Sequence, residues 1–136
     1  MHAYRDAAAA GRLVLELWDP SAPVDQRLGL LERYAACAEL AGELSEAVRA
    51  WREVAEITRE QGTTRELAEA TRRLAGIYAL QGDRERATDA RRASAQAFAE
   101  AGSAADAAAD RLVAAGYLQR RGEHTEAEAL AAEARA

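Results

Sequence analysis

Residues 76–87 read GIYALQGDRERA, and the same skeleton, a glycine followed five residues later by an alanine, stands at 36–47 as ACAELAGELSEA and at 116–127 as GYLQRRGEHTEA. Gly42, Gly82 and Gly122 are 40 residues apart, and so are Ala47, Ala87 and Ala127. Ala35, Ala75 and Ala115 keep the same spacing, and Gly62 with Gly102 adds a second glycine column. In a chain this rich in alanine, matched alanines carry little weight, so the glycines define the period. A repeat of this length marks an array of one supersecondary unit, stacked because a single unit cannot bury its own apolar face.

Between Gly62 and Gly82 the apolar residues Leu67, Leu74, Ile77, Tyr78 and Leu80 recur at the three-to-four spacing of a helix with one buried side. Thr63 followed by Glu66 has the form of a capping box, Asp83 stands where it can cap the next helix, and Ser103 with Asp106 repeats the pattern. The turn glycines supply the left-handed residue that ends a helix. These signals predict an all-α chain with helices at 3–17, 23–40, 44–61, 64–80, 84–101, 104–121 and 124–136. Residues 1–22 read as a leading helix and linker, with Leu13, Val14, Leu17 and Trp18 covering the first repeat. Repeats follow at 23–62, 63–102 and, in part, 103–136, all in one structural domain. Alanine at a fixed place on each helix lets two helices cross closely, with Leu74 and Trp51 filling the flanks.

These columns resemble the tetratricopeptide repeat in a long, 40-residue form. The family's small residue on its first helix matches Ala35, Ala75 and Ala115, its tyrosine position Tyr78, its turn glycine Gly42, Gly82 and Gly122, and its second-helix alanine Ala47, Ala87 and Ala127. The aromatic four residues on matches Trp51, where the later repeats carry Arg91 and Ala131 instead. The resemblance implies an α-solenoid of antiparallel hairpins, of about seven helices. It also implies a concave groove lined by first helices, here Arg33, Glu69, Arg72, Arg73, Gly76, Arg111, Gly116 and Gln119. Relatives that clamp a C-terminal carboxylate use Lys and Asn in these columns, and this chain contains neither.

Composition narrows the function classes. The net charge is −5, with Arg and Glu interleaved, so no basic stripe tracks phosphates and direct nucleic-acid binding is disfavoured. All 18 cationic side chains are Arg, in keeping with a GC-rich coding bias and a bacterial source. The run AAAAGRLVLELW at 7–18 is interrupted by Arg12 and Glu16 and is too short to span a bilayer, and the single Cys37 excludes an internal disulfide. A cytoplasmic location is the expectation.

Reactive residues are sparse. Cys37 sits between two alanines as a small packed thiol, and His2 and His124 lack the companions a metal site needs. Neither GxxxxGK[ST] nor GxGxxG occurs. No catalytic residue, metal or cofactor is therefore assigned, and an enzyme is not expected. The expected function is docking of a protein or peptide, its acidic side chains meeting the groove arginines. The alternative is a sensor or linker module of a larger bacterial transcription regulator. The last helix offers Ala129, Ala132 and Ala136 on a second apolar side, which raises self-association of two copies through the C-terminal helix.

Overall fold

The computed structural model describes residues 2–136 as seven helices: α1 His2–Glu16, α2 Val24–Leu40, α3 Leu44–Gln61, α4 Thr64–Leu80, α5 Arg84–Glu100, α6 Ala104–Arg120 and α7 His124–Arg135. Each packs chiefly on its neighbours in sequence, which makes the molecule a solenoid of antiparallel hairpins. Observed ends lie within one residue of those read from the sequence.

Local chemistry explains that agreement. Gly42, Gly82, Gly102 and Gly122 have φ between 78° and 82°. At each, the amide of the residue after the glycine bonds back across the last turn, as in Glu43 N to Ala38 O at 2.8 Å and Asp83 N to Tyr78 O at 2.9 Å. Only glycine takes that left-handed step without strain. Gly62 differs from its column mate Gly102. Its backbone is extended, with φ −98° and ψ −169°, and the residue is a glycine because a Cβ there would lie 2.9 Å from the Thr58 Cα. The capping box of Thr63 and Glu66 is complete, and Asp83 accepts from the Arg86 amide at 3.1 Å. Ser103 departs from the expected cap: its hydroxyl donates to Asp106 at 2.6 Å and accepts no backbone amide.

The alanine columns lie where the helices cross. Ala35, Ala75, Ala47 and Ala87 are fully buried, while Ala115 and Ala127 are 7% and 6% exposed. Around Ala35, Ala47 and Ala87 gather Leu31, Tyr34, Trp51, Val54, Leu74, Ile77 and Tyr78. Phe98 is buried with Ala68, Ala97 and Ala107 in the next layer, and Leu118 with Leu130 in the last.

α1 holds a repeat position of its own. Moved forward by 40 residues, Ala8 falls on Val48 and then Thr88, all buried, and Arg12 falls on Arg52 and Arg92. Each of these arginines reaches the following hairpin: Arg12 bonds Glu43 at 3.0 Å, Arg52 bonds the Tyr78 hydroxyl at 3.0 Å, and Arg92 bonds Glu126 at 2.9 Å. α1 thus occupies the second-helix position of the repeat. The side it turns to α2 differs from the one expected. Ala8, Gly11 and Leu15 face inward, and a Cβ on Gly11 would sit 3.1 Å from the Tyr34 ring. Leu13, Val14 and Leu17 instead remain 57%, 46% and 77% exposed. The three-to-four pattern of α1 has two apolar sides, and the one containing glycine allows the closer approach.

Candidate functional site

The first helices of the three hairpins, α2, α4 and α6, present a common stripe. Arg33, Ala36 and Leu40 on α2 become Arg73, Gly76 and Leu80 on α4, and Val113, Gly116 and Arg120 on α6. Gly76 and Gly116 are half-buried with nothing within 4 Å of where a Cβ would stand, so the stripe has an open floor. Leu40 and Leu80 flank it at 56% and 64% exposure. These residues share the stripe because steps of three and four return to one side of a helix.

Two shallow depressions carry four of the eight expected groove residues. Glu69 and Arg73 line one of about 200 Å³, together with Glu32, Glu66 and the buried Trp51, whose ring lies 5.5 Å from the Arg73 guanidinium. Gly116 and Gln119 line another of about 310 Å³, closed on its far side by Ala131 and Arg135 of α7. Arg33 is exposed on α2 and makes no ion pair among the described residues.

Two expected residues do not join them. Arg111 is about 140° around α6 from Gly116, a separation of five residues, and so lines a depression of about 300 Å³ between α5 and α7, 3.8 Å from Glu133. Arg72 is close to the stripe but already engaged. Its Nε bonds Asp110 at 3.0 Å, one terminal nitrogen bonds the Asp106 carboxylate at 3.1 Å, and the other bonds the Asp106 carbonyl at 3.1 Å. The guanidinium also lies 4.2 Å from the centre of the Phe98 ring. A guanidinium with this many partners would have to lose all of them to meet a ligand.

The carboxylate that holds Arg72 is the feature the sequence reading missed. Asp110 is 1% exposed. Its Oδ1 also accepts from Arg91 at 2.8 Å, and its Oδ2 from the Ser94 hydroxyl. Two arginines and the two aspartates 106 and 110 balance in charge, which makes burial of the group tolerable. The Asp106 carboxyl is held below the usual carboxylate range, first by the Ser103 hydroxyl and then by Arg72. A signal was present in the columns. Trp51, Val54 and Ala70 become Arg91, Ser94 and Asp110 forty residues later, a change at three packed positions at once.

Cys37 is half-buried against the main core, and His2 and His124 are exposed. Among the described residues no group of three or more His, Cys, Asp or Glu is placed to hold a metal ion, and no helix is long and apolar enough to cross a membrane. No family model and no curated protein matches this sequence. Among solved structures the chain is similar to BtubC (BKLC) from P. vanneervenii, with a TM-score of 0.72 and 17% identity over 96% of this chain. The match spans 54% of that protein, so this chain covers about half the length of its structural neighbour. At this identity the likeness bears on the fold.

Proposed function

We propose that the chain is a tetratricopeptide-type repeat array serving as a non-catalytic docking scaffold, which holds a protein or peptide segment along the stripe of α2, α4 and α6. The observation that carries this reading is the open floor at Gly76 and Gly116, in the column of the small Ala36, beside the exposed Leu40 and Leu80. Small residues at a repeating place leave room for an extended chain, and the exposed leucines offer it apolar contact. With Arg72 and Arg111 engaged elsewhere, Arg33 and Arg73, together with Arg120 at the α6 end of the stripe, are left to meet acidic side chains of such a segment. Panning a displayed peptide library against wild type and a Gly76→Glu, Leu80→Glu variant tests it. Selected peptides are expected to lose at least tenfold in affinity for the variant, while an Ala93→Glu control on α5 binds as wild type does. Failure to select binders, or binders indifferent to the stripe variant, would overturn the reading.

A second reading is a sensor or linker module of a larger bacterial regulator, and the structural neighbour, of which this chain spans 54%, shows only that an array of this fold can be longer than this chain. A solenoid can carry a signal between flanking domains because its units contact only their neighbours.

A further inference from the structure

The depression at Trp51 has a counterpart forty residues on, and the counterpart is filled. Glu32, Trp51, Glu66, Glu69, Ala70 and Arg73 line the first. Moved forward by 40 residues, Glu32 falls on Arg72, Trp51 on Arg91, Glu66 on Asp106 and Ala70 on Asp110. These are the members of the buried cluster around Asp110, in which the Arg72 guanidinium bonds both Asp106 and Asp110. The first depression is therefore bounded by the columns that close on a guanidinium in the next unit.

Its charge has the matching sign. The carboxylates of Glu32, Glu66 and Glu69 stand against the single guanidinium of Arg73, whereas the Asp110 cluster sets Arg72 and Arg91 against Asp106 and Asp110. Glu69 also meets Arg65 at 3.2 Å, and Glu66 spends its Oε1 on the Thr63 cap, but Glu32 is exposed and makes no ion pair among the described residues. The depression is thus one cation short of its counterpart. It also holds a donor without an acceptor: Trp51 is 6% exposed, and its indole N–H has no hydrogen-bond partner among the described residues. A buried donor left unpaired is destabilising, and a ligand that accepts from it relieves the loss. A basic residue of a peptide carries both missing groups, a cation on its side chain and a carbonyl on its main chain. Guanidinium suits the lining better than ammonium, because its planar fork bonds two carboxylates at once, as Arg72 does with Asp106 and Asp110. At about 200 Å³ the depression is smaller than the roughly 300–1,000 Å³ of pockets that take whole small molecules, and it fits one side chain.

We infer that this depression is an arginine subsite, which takes the guanidinium of one residue in the segment docked along α2, α4 and α6; the inference rests on the docking reading for the chain to which that arginine belongs. Heteronuclear NMR follows the two indole N–H signals, Trp51 in the subsite and Trp18 outside it, while Nα-acetyl-arginine N-methylamide is added at constant ionic strength. The Trp51 signal is expected to move saturably, with a dissociation constant on the order of millimolar for so small a ligand, and the Trp18 signal to stay. The citrulline analogue, which keeps the shape and removes the charge, and the lysine analogue are each expected to bind at least about fivefold more weakly. Glu32→Gln is expected to weaken binding of the arginine derivative by a similar factor. Glu32→Arg, which restores the column of Arg72, is expected to abolish it. Both changes fall at an exposed position and are expected to leave circular dichroism unchanged, and Glu60→Gln on the exposed end of α3 binds as wild type does. An unmoved Trp51 signal, citrulline bound as well as arginine, or Glu32→Gln without effect would overturn the subsite, and equal binding of the lysine analogue would overturn its assignment to arginine. Because this probe needs no docked segment, saturable binding beside a failed peptide selection would remove the docking reading and keep the subsite, while stripe-dependent peptides with an unmoved Trp51 signal would do the reverse.

Discussion

The junction of α3 with α4 and the junction of α5 with α6 occupy the same columns forty residues apart, yet their interiors are opposite in chemistry. At the first, Trp51 and Val54 pack on Ala70 and Leu74, and all four are buried. At the second, Arg91 and Ser94 bind Asp110, and Ala114 stands where Leu74 did. The surrounding residues change in compensation. Thr58, which bonds the Val54 carbonyl at 2.9 Å, becomes Phe98, and Leu67 becomes Ala107 beside that ring. Glu32, at the edge of the first depression, becomes Arg72, whose ion pairs span the second junction. One solenoid geometry is thus held by apolar burial in one place and by a neutral cluster of charges in the next. The crossing is set by the alanine columns, which both junctions keep, and the contents of the space between are free to vary together.

The same contrast accounts for the different positions of Arg72 and Arg73. An apolar junction leaves its rim charges Glu69 and Arg73 at the surface, whereas an ionic junction draws its rim arginine inward. Arg72 is turned toward the junction because it pairs with Asp110.

The largest expected effects come from removing the central residue of each junction. Trp51→Ala should cost about 3–5 kcal/mol through cavity formation, with no dependence on salt. Asp110→Ala should cost about 3 kcal/mol or more, because it leaves Arg91 half-buried beside Arg72 with no counter-charge. Denaturant titrations at low and high ionic strength compare the two, and similar salt responses for both variants would break the distinction. A smaller effect is expected from transplanting one junction into the other. Arg91→Trp, Ser94→Val and Asp110→Ala together should stand within about 2 kcal/mol of wild type and recover much of the loss of Asp110→Ala alone, since replacing a buried ion cluster by fitted apolar groups is often neutral. A triple variant no better than the single one would mean that the columns do not vary as a unit.

The smallest effect concerns acid. Because the Asp106 carboxyl titrates below its ordinary range in the folded chain, it contributes stability that is complete above that range and is lost as pH falls through the lowered value. The stability difference between wild type and Asp106→Asn should therefore be constant at neutral pH and shrink below about pH 4. A difference that grew on acidification would contradict the arrangement of Ser103, Asp106 and Arg72.

The repeat length, the helix ends and the alanine crossings were legible in the sequence because each is written by local chemistry. Glycine at a left-handed step and Thr63 with Glu66 at a helix start act within one turn of the chain, and a period of 40 repeats them. The open floor at Gly76 and Gly116 was legible for the same reason, since the absence of a side chain needs no partner to be read. The fates of the arginines were not. Arg72, Arg73 and Arg111 look alike in a helix, and their roles depend on residues up to 38 positions away. The side of α1 that faces α2 was equally hidden, because the helix has two apolar stripes and only the ring of Tyr34 against Gly11 selects between them. What the sequence determined alone was the unit and its repetition, which follow from contacts between near neighbours in the chain. The tertiary structure decided which side chains each junction consumes and which it leaves exposed, because ion pairing and close packing join positions that no local pattern connects.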